Sequence, residues 1–142
     1  AAGRLDEAEA HLRAALERRP ESPLARREVG LLELVRGRPD AARLHLDSSE
    51  PAYALVLGQL GRKSEVLPML AALRDVESSG YVSPIDFALI YAGLGETDAA
   101  LDELERAFEM RDAALVYLRS QPGFAPLRPE PRFQDILKRM GI

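Results

Sequence analysis

Apolar side chains recur at steps of three and four residues along most of the chain. One such run includes Leu5, Ala8 and Leu12, and a later one includes Leu101 and Leu104. This spacing is typical of amphipathic helices, and the two-residue alternation of half-buried strands is not sustained in any stretch. The pattern therefore predicts an all-α protein. The predicted helices cover 6–18, 23–35, 39–47, 51–60, 64–78, 84–94, 97–111, 113–120 and 131–140.

Two Ser-Pro pairs mark predicted helix starts. Ser22 precedes Pro23, and Ser83 precedes Pro84. A serine hydroxyl can accept a hydrogen bond from the first helical turn, and proline suits the first helical position because no donor is needed there. These pairs place helix starts near residues 23 and 84.

Single glycines mark the predicted turns between helices. A glycine next to a helical pattern permits the chain to reverse direction. We interpret Gly58 and Gly93 as turn residues too, because neither belongs to a strand followed by a phosphate-binding Gly-Lys-Ser/Thr motif. The glycines that directly precede a helical pattern are those at 3, 37, 61 and 95.

The chain contains an internal repeat with a period of 34 residues. Residues 3–12 aligned with 37–46 are identical at six of ten positions, and Gly61 lies 34 residues before Gly95. The step from Gly37 to Gly61 is 24 residues, so one unit is ten residues short. A fixed period of this length indicates a helical repeat protein. We expect one domain with a partial unit at 1–22, a contracted unit at 23–46, units at 47–80 and 81–112, and a C-terminal segment at 113–142.

A 34-residue unit of two helices with small residues at their crossing resembles the tetratricopeptide repeat. Ala8, Leu12, Ala15 and Pro20 match the second-helix pattern of that family, and the best unit lies at 81–112. The residues that carry the resemblance there are Phe87, Ala88, Tyr91, Gly95, Ala100, Leu104 and Ala107.

The resemblance implies a right-handed α-solenoid of antiparallel helix pairs, whose open end needs a cap. Two features depart from the family pattern: the chain has no Trp, and Glu33 stands where an aromatic residue is usual. The predicted last helix has one apolar face, formed by Phe133, Ile136, Leu137 and Met140. We expect this helix to cap the solenoid, and the alternative is an exposed helix that binds a partner.

The Pro-rich segment 121–131 cannot continue a helix. Its Phe124 and Leu127 are apolar anchors, so we expect the segment to be ordered against the last repeat. A narrower resemblance links this region to the C-terminal tetratricopeptide regions of bacterial signalling proteins that carry a kinase, nucleotide cyclase or winged-helix regulator domain. It implies that the chain is a C-terminal fragment of such a protein. The motifs that carry it are Tyr81-Val82-Ser83-Pro84, Pro126-Leu127-Arg128, Pro131-Arg132-Phe133 and Met140-Gly141.

The resemblance to tetratricopeptide repeats implies that the stacked first helices line a groove, and that this groove binds a protein or peptide partner. Arg27 is the only cation among the groove positions, which favours a mostly apolar helical or extended segment. Two alternatives stay open: self-association of the parent protein into a homo-oligomer, and an enzymatic site that the sequence does not reveal. The groove positions implied by the resemblance are Leu24, Arg27, Leu31, Leu34, Gln59, Val82, Ile85 and Leu89.

Composition narrows the function further. The 142 residues contain no cysteine, which suits a cytoplasmic location, and the net charge of −4 gives no reason to expect nucleic-acid binding. We expect no membrane insertion, because the longest uncharged stretch is far shorter than the roughly 20 apolar residues of a membrane span. His11 and His45 are 34 residues apart, so repetition explains them better than a metal site. We predict a non-catalytic protein without metal or cofactor.

Charge is distributed unevenly along the chain. Residues 1–46, 47–110 and 111–142 carry net charges of +1, −8 and +3. A solvated acidic middle is the simpler interpretation. The alternative is that the basic tail, with Arg132, Lys138 and Arg139, is attracted to the acidic middle of the same or a neighbouring chain.

Overall fold

The computed structural model describes residues 2–118 and 121–141. Within these ranges the chain is helical and has no strand, which confirms the predicted all-α class. Three short 3₁₀ helices cover Lys63–Glu65, Ala113–Tyr117 and Pro122–Leu127, and the last is called the strap below. The α-helices are α1 (Ala2–Arg18), α2 (Pro23–Val35), α3 (Pro39–Ala42), α4 (Tyr53–Gln59), α5 (Val66–Ser79), α6 (Pro84–Leu94), α7 (Thr97–Glu109) and α8 (Pro131–Arg139).

The Ser-Pro pairs begin helices α2 and α6 as predicted. The Ser22 hydroxyl accepts a hydrogen bond from the Ala25 amide at 3.3 Å, and the Ser83 hydroxyl accepts one from the Ile85 amide at 3.2 Å. Both helices match the predicted ranges 23–35 and 84–94 at each end. Local capping chemistry was therefore sufficient to locate these two helices.

Two helix predictions were too long. The prediction at 39–47 is wrong beyond Ala42. Turns follow there in which backbone amides donate to carbonyl oxygens three residues earlier. The Asp47 carboxylate also accepts a hydrogen bond from the Ser49 amide at 2.8 Å. Such local side-chain bonds compete with helical ones. The predicted helix at 113–120 is a 3₁₀ helix over Ala113–Tyr117, and its last two residues lie outside the described residues.

The turn glycines were predicted in part. Gly37, Gly61 and Gly95 have φ between 72° and 76°, the left-handed conformation expected at a helix end. Gly3 instead lies inside α1, so its prediction as a turn residue is wrong. Gly58 and Gly93 lie inside α4 and α6, and the turn interpretation is wrong for them as well.

Gly58 and Gly93 are located where α4 and α6 cross. A Cβ atom on Gly58 would overlap the carbonyl oxygen of Gly93 and stand 3.1 Å from its carbonyl carbon. A Cβ atom on Gly93 would overlap the Ala54 carbonyl oxygen and stand 2.8 Å from the Ala54 Cβ. The two backbones are therefore in direct contact, which only residues without a side chain allow.

Helix α6 lies at the centre of the packing. It contacts α4, α5, α7 and the strap, and its apolar residues are buried on several sides. Helix α7 presents the small residues Ala100 and Ala107 to the core, both fully buried, as the repeat pattern predicts for a close crossing. The main core continues from α2 through α4, α6 and α7 to the strap and α8.

A buried ion pair joins α1 to α2. The Glu33 side chain is 2% exposed, and the Arg13 guanidinium donates a hydrogen bond to it at 2.9 Å. Arg38 lies 3.7 Å from the other carboxylate oxygen. Glu33 thus takes a position where an aromatic residue is usual because two arginines compensate its charge.

The strap packs more widely than predicted. It contacts α6, which lies in the last predicted unit, but it also contacts α2. Phe124 and Leu127 are buried as expected, and the Phe124 ring centroid lies 6.5 Å from that of Phe133 in α8. The strap therefore connects α2, α6 and α8 by apolar contacts.

The basic tail and the acidic middle attract each other within the chain at Arg132. Its guanidinium lies 2.6 Å from Asp102, 3.1 Å from Glu105 and 3.9 Å from Asp98, all on α7. Hydrogen bonds to Glu105 and Asp102 raise the pKa of Arg132. Arg139 instead pairs with Asp135 of its own helix. The predicted attraction is confirmed for Arg132, whereas Arg139 contacts α7 through the Phe108 ring, whose centroid lies 5.0 Å from its guanidinium.

We expect Gly93→Ala to lower the free energy of unfolding by about 1–3 kcal/mol, because the added methyl group forces α4 and α6 apart. We expect this loss even though alanine favours a helix over glycine by roughly 1 kcal/mol. Urea denaturation measures the change. Gly80→Ala is the matched control, since no atom lies within 4 Å of its added Cβ. Equal stability of the two variants would contradict the close crossing.

Candidate functional site

An open cleft of about 970 Å³ lies between the second half of α1, the first half of α2 and the start of α6. The N-terminal ends of α2 and α6, fixed by the capping serines, place their first turns on its wall. The lining residues are Leu12, Ala15, Arg18, Arg19, Ser22, Leu24, Ala25, Arg27, Glu28, Ser83, Ile85, Asp86, Ala114 and Gln121.

The cleft offers an exposed apolar side chain. Leu24 is 68% exposed although it begins a helix whose later leucines are buried. Ile85, from the start of α6, also lines the cleft but is buried, with 8% of its surface exposed. The exposed Leu24 is therefore the apolar side chain of the lining that a partner could contact most fully.

A shared arginine dominates the electrostatics of the α2 wall. The Arg27 guanidinium lies 3.5 Å from Glu28 and 3.8 Å from Glu50. Burial raises the pKa of both carboxyl groups, although Arg27 opposes this effect. One Glu50 oxygen is buried and has no hydrogen-bond partner among the described atoms. Arg27 therefore serves two carboxylates, of which Glu28 lines the cleft and Glu50 does not.

Asp86 and Asp112 differ in their titration although they are close in the structure. Burial raises the pKa of Asp86, with Arg27 lowering it and the Asp112 charge raising it. Burial would also raise the pKa of Asp112, but hydrogen bonds from Tyr81, the Ala114 amide and Ser83 together hold it below its usual value. Asp112 is thus a structural carboxylate that fixes the start of α6, whereas Asp86 faces the cleft.

The groove positions implied by the family resemblance occupy three environments. Leu24, Arg27 and Ile85 line the cleft. Gln59 is exposed, but its amide donates to the Leu34 carbonyl oxygen at 2.9 Å, at the end of α2. The positions that are buried in the structure are Leu31, Leu34, Val82 and Leu89.

Several cleft residues were not predicted as site residues. Arg18 and Arg19 come from the end of α1, Glu28 and Asp86 lie beside predicted positions, and Gln121 precedes the strap. Glu28 and Asp86 each follow a predicted residue by one position, so the helical face was assigned too narrowly. No local signal in the sequence indicates that residue 121 returns to the start of α2.

The described residues hold no group of three or more His, Cys, Asp or Glu side chains suited to a metal ion. His11 is exposed, and His45 is half-buried in the turns after α3, where burial and the nearby charges of Arg13 and Arg26 lower its pKa. His45 is therefore not on the outer face of a helix. Among the described helices, none combines the length and hydropathy needed to cross a membrane.

A family model of the tetratricopeptide repeat matches residues 1–56. The matched range covers α1, α2 and α3, and it supports the resemblance that the sequence pattern indicated. Proteins of this family generally mediate protein–protein interactions and are typically non-catalytic. No curated protein and no solved structure matches the chain.

Asp86 and Asp112 should shift stability with pH in opposite directions. A raised pKa in the folded state means that the folded chain binds more protons than the unfolded one. The contribution of Asp86 to the free energy of unfolding therefore falls as the pH rises above 3.8, the ordinary pKa of this side chain. A lowered pKa reverses the sign for Asp112.

Chemical denaturation of Asp86→Asn and Asp112→Asn at about pH 3 and about pH 7 tests this pair. The free energy of unfolding of Asp86→Asn, measured relative to wild type, should be higher at about pH 7 than at about pH 3. For Asp112→Asn the same difference from wild type should be lower at about pH 7 than at about pH 3. Changes of the same sign in both variants would contradict the assignment.

Proposed function

We propose that this chain is a non-catalytic interaction module, a solenoid of helical hairpins capped by α8, and that its cleft binds a segment of a partner protein. Support comes from the cleft itself, which is large, open and adjoined by an exposed leucine. The family match covers α1 and the part of α2 that forms two sides of the cleft. The open cleft around Leu24 is the observation that carries the proposal.

The cleft lining carries charges of both signs, with Arg18, Arg19 and Arg27 as well as Glu28 and Asp86. Glu28 and Asp86 have raised pKa values because burial removes water from them, so a cation placed beside them would be favoured. The partner segment would therefore carry a basic side chain next to an apolar one that contacts Leu24 and Ile85.

Self-association is the second candidate. Helix α5 has only Val66 fully buried, and it exposes Leu67 by 57% and Val76 by 55%. These two residues are nine positions apart and lie on opposite faces of the helix, so Leu67 is the contact that a second copy would use first. A mass that rises with concentration in light scattering, and that Leu67→Glu restores to one chain, would favour this candidate over the cleft.

We also propose that this chain is part of a longer signalling protein. The C-terminal motifs that include Pro126 and Phe133 resemble those of bacterial signalling proteins. On this proposal the cleft would recruit a partner to a kinase, a nucleotide cyclase or a winged-helix regulator.

The test uses the whole chain as bait, identifies the captured protein, and measures the affinity of its contact segment by calorimetry. Leu24→Glu should weaken binding about tenfold or more, because a buried leucine contributes about 1.5–3 kcal/mol. Leu44→Glu is the matched control, since Leu44 is 71% exposed but lies outside the cleft. A segment that binds equally to both variants and to wild type would refute the cleft as the binding site.

A further inference from the structure

The cleft is the open end of a longer apolar face. On α2, Leu24 and Arg27 line the cleft, and Leu31 follows four residues later on the same side of the helix. On α6, Ile85 lines the cleft and Leu89 follows four residues later. Leu31 and Leu89 are both buried, so the same face continues from an open part to a covered part.

The strap covers this second part. A Cβ atom on Gly123 would lie 2.9 Å from Leu89, 3.3 Å from Leu55 and 3.6 Å from Leu31. The backbone at Gly123 therefore rests directly on three leucines from α6, α4 and α2. These three leucines are called the leucine floor below. Gln121, the residue immediately before the strap, lines the open cleft, so the strap begins where the cleft ends.

The strap is held on the leucine floor by apolar contact. The hydrogen bonds described for its backbone stay local, with the Gly123 amide donating to the Gln121 side chain and the Phe124 amide to the Gln121 carbonyl oxygen. Arg128 likewise donates to the Gln121 carbonyl oxygen at 3.1 Å. Removal of the strap would therefore expose apolar surface without breaking any of these hydrogen bonds.

The fit of the strap leaves space. A cavity of about 360 Å³ lies beside it, with Pro122 and Pro126 on one side and Leu34 and Gln59 on the other. The Nε atom of Arg128 is buried without a hydrogen-bond partner among the described atoms. A segment with larger side chains than the strap could fill this cavity, and one with a further acceptor could satisfy Arg128.

We propose that the strap is an internal occupant of the binding face, and that the leucine floor is a second binding site for a partner segment of the same chemistry. That segment would contain proline, form a 3₁₀ turn and carry Phe and Leu anchors like those of the strap. The inference rests on the proposed function, because the floor extends the face on which the cleft lies. In the chain as it stands, the strap competes with the partner for the floor.

Fluorescence anisotropy with a labelled peptide of sequence Gln-Pro-Gly-Phe-Ala-Pro-Leu-Arg, which copies residues 121–128, tests the proposal on the full chain. Gly123→Leu should displace the strap and bind the peptide at least about tenfold more tightly than wild type, because more of the floor is free. Gly123→Ala, which adds a single methyl group, should give an intermediate affinity and keeps the test valid if the larger substitution prevents folding. Pro129→Ala, at an exposed position outside the strap, should bind like wild type.

A peptide in which the Phe and Leu anchors are replaced by Ala should not bind any of these chains. The proposal is overturned if folded Gly123 variants, checked by circular dichroism, bind no more tightly than wild type or bind the peptide without anchors equally well. A stable dimer of Gly123→Leu would assign the floor to a second copy and would overturn the choice of a partner protein. Leu24→Glu should leave peptide binding unchanged, so a failure here is distinguishable from a failure of the cleft.

Discussion

The backbone contact between α4 and α6 is the constraint on which the remaining packing depends. Gly58 and Gly93 allow the two helices to cross without intervening side chains. This crossing brings Leu55 of α4 beside Leu89 of α6, because each lies three or four residues from its glycine on a neighbouring face. Two short helices thereby present one apolar surface, and the strap and α2 complete the core around it. Larger residues at the crossing would separate those leucines.

The same helical faces explain why one end of the surface is covered and the other is open. Around Leu31 of α2, Leu55 of α4 and Leu89 of α6 the face is formed by leucines, and a segment with apolar anchors covers it. Toward the start of α2 the face carries Arg27 and Glu28, with Asp86 opposite. Covering these charges with an apolar strap would remove water from them without compensation. The strap therefore ends its contact where the charges begin, and the cleft beyond it stays open.

Sequence reasoning succeeded where the signal was local and failed where it depended on distant neighbours. Ser22 and Ser83 begin helices because capping involves residues within one turn, and both helix ranges followed from the sequence. Gly58 and Gly93 were misinterpreted because a close crossing and a turn both require glycine, and only the neighbouring backbone distinguishes them. Glu33 was recognised as unusual, but its partner Arg13 lies 20 residues away on another helix. The strap was predicted to be ordered from Phe124 and Leu127, but apolar anchors do not specify which floor receives them.

The two proposed sites together suggest an order of events for partner binding. A segment tethered by a short linker acts at an effective concentration in the millimolar range. A partner with apolar anchors alone would need high affinity to displace such an occupant from the floor. A partner that first places a basic side chain beside Glu28 and Asp86 in the open cleft becomes tethered as well, and its anchors then compete with the strap at a similar effective concentration. The charged cleft would thus select the partner, and the strap would set the affinity that the selected partner must reach.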